Sequence, residues 1–227
     1  MHIPDGYLGP LTAGVMYAVM LPIWAFVSKI VKKTLKVRQV PLLAIGAAFS
    51  FVIMMFNVPI PGGTTGHAVG AVLVAILLGP WAACIAVTVA LVVQALIFGD
   101  GGITALGANC FNMAFLEVFV GYYIYKFISG SSSINSNRRI IAAAVAGYIA
   151  LNIAALSTAV MFGIQPILHR TSAGESLYCP YGLKVAIPAM LLEHLLVFGW
   201  VEATVTALAV KYLQKNEPGL LEVTKGE

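Results

Sequence analysis

The first two residues of the chain bring together donor atoms that could hold a metal ion. Provided that the chain starts at Met1, the Met1 α-amine, the His2 backbone nitrogen and Nδ1 of the His2 ring are only a few bonds apart. A metal held by the amine and the amide closes a five-membered ring, and one held by the amide and Nδ1 closes a six-membered ring. The three nitrogens therefore lie in one plane, and square-planar nitrogen sites suit Ni(II) or Cu(II). An ordinary exposed histidine near a terminus is the alternative interpretation of His2.

A planar site of this kind leaves one corner open, and three further histidines could fill it: His67, His169 and His194. His67 ends the stretch Gly62-Gly63-Thr64-Thr65-Gly66-His67, whose glycines give the backbone freedom for another segment to approach closely. A lone histidine at a helix start is otherwise a polar cap or a buried residue with satisfied hydrogen bonds. The choice depends on whether the fold brings His67 to the N-terminus.

The composition indicates a protein that lies in a membrane. Hydrophobic residues make up 60% of the 227 residues and charged residues only 10%, whereas soluble domains carry about 25% charged residues. An ordinary soluble enzyme is excluded, and so is a disordered chain, which needs low hydrophobicity and high charge. The apolar residues come in long blocks rather than in the alternating strands of an outer-membrane barrel. We therefore expect an all-α polytopic membrane protein.

Neither the net charge nor the cysteines point to another class. The formal charge of +4 is explained by basic residues that collect in cytoplasmic loops, so no nucleic-acid partner is expected. Cys84, Cys110 and Cys179 are an odd number without framework spacing. We expect buried thiols and no structural disulfide.

Seven candidate spans can be drawn from the apolar blocks, and a count of six or eight stays open. A spanning helix needs roughly 20 mostly apolar residues, and the second and third candidates are shorter. The spans are Leu11–Val31, Pro41–Phe56, His67–Leu78, Trp81–Phe98, Leu106–Phe127, Ile140–Phe162 and Lys184–Leu213. They make one transmembrane metal-binding domain over residues 1–215, followed by a polar cytoplasmic tail over residues 216–227.

The basic residues predict the orientation of these spans. With the N-terminus outside, seven crossings leave only Arg170 and Lys184 outside and place the other eleven of the thirteen lysines and arginines inside. This bias follows the positive-inside rule, so the sequence predicts an outer N-terminus and an inner C-terminus. The opening residues then form a short ordered segment at the outer surface. His67 lies on the same side, which makes it the best candidate for the fourth nitrogen.

Several segments resemble a known family. Met1-His2-Ile3-Pro4-Asp5-Gly6-Tyr7-Leu8, together with the stretch that ends at His67, is similar to the NikM/CbiM proteins. These are the substrate-binding membrane components of energy-coupling-factor transporters for nickel or cobalt. The segments 78–81 and 101–109 resemble the family as well, and the likeness covers essentially residues 1–215.

The resemblance implies a site for one divalent metal. Its four donors would be the Met1 amine, the His2 amide nitrogen, the His2 ring and the His67 ring. The resemblance also suggests that the loop before Asn109 lies against this site, with Asn109 as a hydrogen-bonding neighbour. A residue that caps a helix is the alternative interpretation of Asn109.

The function implied by the resemblance is that of a transporter component and not of an enzyme. The chain would be the substrate-specificity subunit of an ATP-driven importer in the cell membrane, with Ni²⁺ or Co²⁺ as the transported substrate. The P-loop pattern GxxxxGK[ST] is absent from the sequence, so ATP hydrolysis would fall to separate ATPase subunits. The implied partners are these subunits, a transmembrane coupling subunit and the lipid bilayer, and a small accessory membrane subunit is a further candidate.

Two other functions stay open at this stage. A self-sufficient metal channel or secondary carrier would take up metal by itself and would favour polar residues along its whole path, whereas the polar groups here crowd one end. A membrane enzyme that used the metal would need an open coordination position and a nearby acid or base. The sequence does not show whether nickel or cobalt is the transported metal, although the affinity of a nitrogen site rises from cobalt to nickel.

Four ionisable residues lie inside candidate spans: Glu117, Glu193, His194 and Glu202. Such residues are costly in a bilayer and are usually functional. Their positions favour interhelical hydrogen bonds or contacts with a partner subunit rather than metal ligation. Their individual roles, and the helix face that meets the coupling subunit, are left open by the sequence.

Overall fold

The computed structural model describes residues 1–221, and over that range the chain is almost entirely helical. The helices are α1 Pro10–Thr34, α2 Val40–Met54, α3 Ala71–Leu78, α4 Pro80–Phe98, α5 over residues 106–129, α6 Asn137–Leu168 with a break at Ile164, and α7 Leu183–Asn216. Two 3-10 turns, Val37–Gln39 and Pro218–Leu221, flank the bundle. Two short strands, β1 Val58–Pro59 and β2 Thr65–Gly66, pair antiparallel between α2 and α3.

Length and composition make four of these helices able to cross a membrane: α1, α4, α6 and α7. The all-α polytopic class is therefore confirmed. Prolines begin α1 and α4, where the missing N–H costs nothing, and Ser136 caps α6 by accepting a hydrogen bond from the Arg138 amide at 3.2 Å. All three cysteines are buried free thiols.

The third candidate span is not a spanning helix. Helix α3 starts at Ala71 instead of His67 and has 8 residues, which at about 1.5 Å per residue is far shorter than the bilayer core of about 30 Å. The chain reaches α3 through non-helical residues 66–70, all of them buried in the bundle. Non-helical backbone at membrane depth is tolerated where protein surrounds it. Glycines at positions 66 and 70 allow the close packing of this stretch, because an added Cβ would overlap the Phe198 ring at Gly66 and the Phe49 ring at Gly70. Gly70 has a φ of 72°.

The two ends of the bundle differ in what they hold. The N-terminal segment, the loop over residues 99–105 and the loop over residues 169–182 meet at one end, as shown by hydrogen bonds from Gly102 N to Ile3 O and from Cys179 N to Tyr7 O. At the other end Gln214 donates to the carbonyls of Ile134 and Ser136. Of the predicted polar tail, Pro218–Leu221 forms the last 3-10 turn with Leu221 buried. Its residues 222–227 lie outside the described part of the chain.

Candidate metal site

The first three residues insert into the bundle. Met1, His2 and Ile3 have exposed fractions of 0%, 2% and 0%, and only Pro4, Asp5 and Gly6 of the opening segment are exposed. The expectation of a surface segment was therefore wrong for residues 1–3. The physical reason is that two large apolar side chains and the backbone between them find partners inside the protein.

Asn109, on α5, holds the inserted segment by both ends of its amide group. Its Oδ1 accepts a hydrogen bond from Ile3 N at 2.8 Å, and its Nδ2 donates to Ile3 O at 3.1 Å. Ile3 O also accepts from Gly102 N at 2.9 Å. The residue that follows the candidate donors is thus fixed on both of its backbone polar groups.

A second set of contacts anchors the exposed part of the segment. The Asp5 carboxylate accepts hydrogen bonds from Ile103 N, Thr104 N and Thr104 Oγ1 at 3.2, 2.8 and 2.5 Å. The Thr104 hydroxyl is the main reason why the pKa of Asp5 lies below its usual range. Gly9 N donates to Gln165 Oε1 at 3.0 Å. The segment is therefore tied down along its whole length.

The structure brings the two candidate imidazoles together. The ring centroids of His2 and His67 lie 4.6 Å apart, with 31° between the ring planes. His67 reaches this position from the irregular stretch before α3, where it is completely buried. Residues separated by 65 positions in the chain thus face each other in the interior.

Each ring uses one nitrogen for a hydrogen bond and leaves the other bare. His2 Nε2 lies 3.1 Å from Gln94 Oε1, and His67 Nδ1 lies 3.1 Å from the Ala68 carbonyl. Because both partners are acceptor oxygens, these two nitrogens carry the protons of the neutral rings. His2 Nδ1 and His67 Nε2 are then buried lone pairs, with no hydrogen-bond partner among residues 1–221.

The Met1 amine lies beside the same stretch. It donates to the Thr65 carbonyl and contacts Thr65 Oγ1 at 3.1 Å, two residues before His67. Met1, His2, His67 and Asn109 are therefore assembled in one place. His169 and His194 also each have a buried Nε2 without a hydrogen-bond partner within residues 1–221, but neither ring is paired with another imidazole. His169 stacks on Tyr178 with a centroid distance of 5.1 Å. His194 lies beside Phe198 with a centroid distance of 5.8 Å, and its Nδ1 bonds to Met190 O of its own helix, 2.7 Å away.

Burial keeps the nitrogen donors neutral. Desolvation lowers the pKa of the Met1 amine from 8.0 to about 4 and that of His2 from 6.5 to about 3. It lowers the pKa of His67 well below 6.5 as well. The Asp100 carboxylate, whose Oδ1 lies 3.7 Å from His2 Nδ1, partly opposes the shift at the amine. At neutral pH all three groups therefore present lone pairs rather than protons, as metal ligands must.

Three π-helical stretches surround this region: Gln94–Phe98 in α4, Cys110–Glu117 in α5 and His194–Phe198 in α7. Stretches of this kind occur frequently at functional sites. Gln94 is completely buried and bonds to His2, yet the sequence did not predict it, because among polar residues inside the spans only the ionisable ones and Asn109 were considered. The sequence feature that could have pointed to Gln94 is that it is the one polar side chain in the otherwise apolar run over residues 91–98.

Glu202 holds the stretch that carries His67. Its Oε2 accepts hydrogen bonds from Val69 N and Gly70 N at 2.8 and 2.9 Å, so α7 fixes the backbone immediately after His67. Interhelical hydrogen bonding of this buried carboxylate was expected, but its attachment to the His67 stretch was not. The Glu117 carboxylate is completely buried and has no hydrogen-bond partner within the described range.

Comparison with known sequences finds relatives that are named as metal transport proteins. Residues 2–220 match the family described as "Cobalt uptake substrate-specific transmembrane region". The fused nickel transport protein NikMN of Rhodobacter capsulatus is 52% identical over 221 residues, which are 97% of this chain and 64% of the relative. LarMN of Lactiplantibacillus plantarum is 49% identical over 96% of this chain and 66% of its own length. The chain thus spans slightly less than two thirds of these two relatives.

A solved structure shows the same fold. The crystal structure of a transition metal transporter superposes with a TM-score of 0.91 at 56% sequence identity, covering 95% of this chain and 93% of that one.

Proposed function

This chain belongs to the family of cobalt-uptake substrate-specific transmembrane regions, also called CbiM/NikM, and from that membership we propose that it captures Ni(II), or Co(II), for an ATP-driven importer. It is a membrane component of nickel or cobalt transport and not an enzyme. The proposed site is a square plane of four nitrogens: the Met1 amine, the His2 amide, His2 Nδ1 and His67 Nε2. The transported metal would occupy the centre of that plane.

One observation carries this proposal. Two buried ring nitrogens, His2 Nδ1 and His67 Nε2, lack hydrogen-bond partners within residues 1–221, although an unpaired buried polar atom costs about 1–3 kcal/mol. A metal would satisfy both at once. No three His, Cys, Asp or Glu side chains in the described range converge as a metal site, and the proposed donor set needs none, because two of its nitrogens belong to the backbone.

Planar coordination favours nickel among the metals of this class. Nitrogen donors bind Ni(II) more tightly than Co(II), and Ni(II) accepts a square-planar field. The ring centroids of His2 and His67 lie 4.6 Å apart, and each ring leaves one buried nitrogen without a hydrogen-bond partner within residues 1–221. We therefore propose Ni(II) as the preferred cargo and Co(II) as the weaker one.

The charge distribution supports an orientation with the metal site outside. Basic residues lie at the end opposite Met1: Lys32 and Lys33 end α1, Lys126 ends α5, Arg138 begins α6 and Lys215 ends α7. By the positive-inside rule this end faces the cytoplasm. Counting the non-helical stretch with α3 as one crossing, the chain would cross seven times, with the N-terminus outside and the described C-terminal part inside.

Partner proteins are part of the proposal. The relative from Rhodobacter capsulatus is named as a fused protein and is longer than this chain, which supports a further membrane subunit as a neighbour of this one. ATPase subunits and a transmembrane coupling subunit would supply the energy. The division into a membrane domain over residues 1–215 and a polar tail beyond it remains part of the same proposal.

The test is metal binding by the purified chain together with uptake by the assembled transporter. Wild-type protein should retain about one Ni(II) per chain after chelator-free purification, and His2→Ala and His67→Ala proteins should retain almost none. Uptake into vesicles should require the coupling and ATPase subunits. Uptake by the chain alone would instead favour the channel or secondary carrier, and full metal content in both variants would refute the site.

A further inference from the structure

The amide group of Gln94 is held in one orientation by α2. Its Nε2 lies 3.4 Å from the Phe51 carbonyl and 3.9 Å from Met55 Sδ, and both of these atoms can only accept. Its Oε1 is thereby turned toward His2 Nε2, at 3.1 Å. Gln94 is completely buried, so no water competes for either end of the amide.

This orientation decides which nitrogen of His2 carries the proton. An amide oxygen can only accept, so His2 Nε2 must donate, and Nδ1 is left as a bare lone pair. With the amide turned round, its NH₂ group would face Nε2 and the ring proton would move to Nδ1. Asp100 Oδ1, 3.7 Å from Nδ1, would accept from it there. In that second arrangement the nitrogen that closes the chelate ring is blocked by a proton.

We propose that Gln94 is a positioning residue that selects the metal-binding tautomer of His2. The inference rests on the proposed function, since it assigns a role within the same site. The orientation comes from the Phe51 carbonyl, a backbone atom of α2, so the helix packing itself sets the tautomer. His67 needs no such side chain, because the carbonyl of its neighbour Ala68 serves the same purpose.

The experiment compares three variants of the full-length protein in detergent. Gln94→Leu removes both ends of the amide. Gln94→Glu keeps an acceptor oxygen for His2 Nε2 and loses the donor to Phe51. Gln214→Leu is the matched control, because Gln214 is another amide that donates to two backbone carbonyls, at the opposite end of the bundle.

Two quantities are measured. The first is Ni(II) affinity by competition with a chelator, and the second is the ¹⁵N chemical shift of the His2 ring in metal-free protein labelled with ¹⁵N-histidine. The His2 signals are identified by their loss in His2→Ala. Wild type and Gln214→Leu should show a proton on Nε2 and equal affinity.

Gln94→Leu should bind Ni(II) about 10–100-fold more weakly, the usual effect of removing a group that orients a metal-bound histidine, and should show both tautomers. Gln94→Glu should keep the proton on Nε2 and bind more tightly than Gln94→Leu. Wild-type affinity and an unchanged tautomer in Gln94→Leu would overturn the inference. If that variant does not fold, a proton on Nδ1 in Gln94→Glu would overturn it.

Failure of the proposed function has a different signature. In that case wild-type protein would not bind Ni(II), or His67→Ala would bind it as wild type does, whatever the Gln94 variants do. The ring shifts of metal-free protein report on Gln94 without any metal, so the two failures can be told apart.

Discussion

Chemical blocking of the Met1 amine tests the proposed site most directly, because one atom distinguishes this site from any site made of side chains. The perturbation is Nα-acetylation by an acetyltransferase that is co-expressed with the chain, so that the amine is blocked before it is buried. Acetylation removes the basic lone pair and leaves the side chains of His2 and His67 intact. Met1 is completely buried and its amine already contacts Thr65 O and Thr65 Oγ1. The acetyl group must therefore enter a packed interior.

The expected loss of affinity has two parts. Overpacking a buried position costs about 1–3 kcal/mol, or about 5–150-fold in a binding constant. Groups that merely orient a ligand are worth about 10–100-fold, and a nitrogen bound directly to the metal should be worth at least the upper value. Together these effects predict a loss of at least about 500-fold in Ni(II) affinity.

The assay is metal quantitation after equilibration with a chelator, on acetylated protein, on protein with an uncleaved N-terminal extension and on protein tagged after Glu227. The C-terminally tagged protein should equal wild type. An extension by one residue leaves His third in the chain, where the terminus alone can offer four nitrogens, so His67→Ala should add no further loss in that background. Full occupancy of the acetylated protein would refute the amine as a ligand.

Three further predictions concern the same site. His67→Ala should lower Ni(II) affinity at least about 100-fold. His169→Ala is the control and should leave the affinity unchanged, because the His169 ring stacks on Tyr178 instead of on His2. Equal metal content in His67→Ala and wild type would contradict His67 as the fourth ligand. Asn109→Leu removes both hydrogen bonds to Ile3, so we expect affinity to fall about 10–100-fold and amide hydrogen exchange at Ile3 to accelerate; unchanged exchange would show that Asn109 does not hold the segment. The third prediction is that affinity rises with pH with a slope of about one in log K per pH unit between pH 5.5 and 7.5. Burial lowers the pKa values of the Met1 amine and His2 to about 4 and about 3, so in the folded site these groups bind no proton above about pH 5 and only the His2 amide proton is left to be released. With ordinary pKa values, the Met1 amine and both imidazoles would release three protons in addition to the amide proton, so a titration would show a slope approaching four well below pH 6.5. A flat profile would exclude the amide as a ligand.

Two features of this protein follow from covalent connectivity and composition alone, and the sequence therefore predicts them. The donor geometry of Met1-His2 follows from bond connectivity and needs no fold. The apolar blocks predicted the all-α membrane class, because hydrophobic length is a local property of the chain. Residues 68–70, just before α3, show the limit. The sequence allows the helix to begin at His67, yet it begins only at Ala71, because Gly70 has a left-handed backbone with a φ of 72° that no right-handed helix can contain.

What only the tertiary structure decided is which atoms of the candidate residues are free. For His67 the sequence allows either ring nitrogen to bind a metal. For His2 the chelate ring requires Nδ1, but the sequence does not show whether that nitrogen carries a proton. The choice depends on acceptors from distant parts of the chain, such as Gln94 for His2, and on the path of the backbone at Ala68 for His67. The insertion of Met1 and Ile3 was equally hidden, since a short segment containing proline and glycine is also typical of a surface turn. Hydrogen-bond partners and burial are properties of the packed molecule, and no periodicity or spacing in the chain encodes them locally.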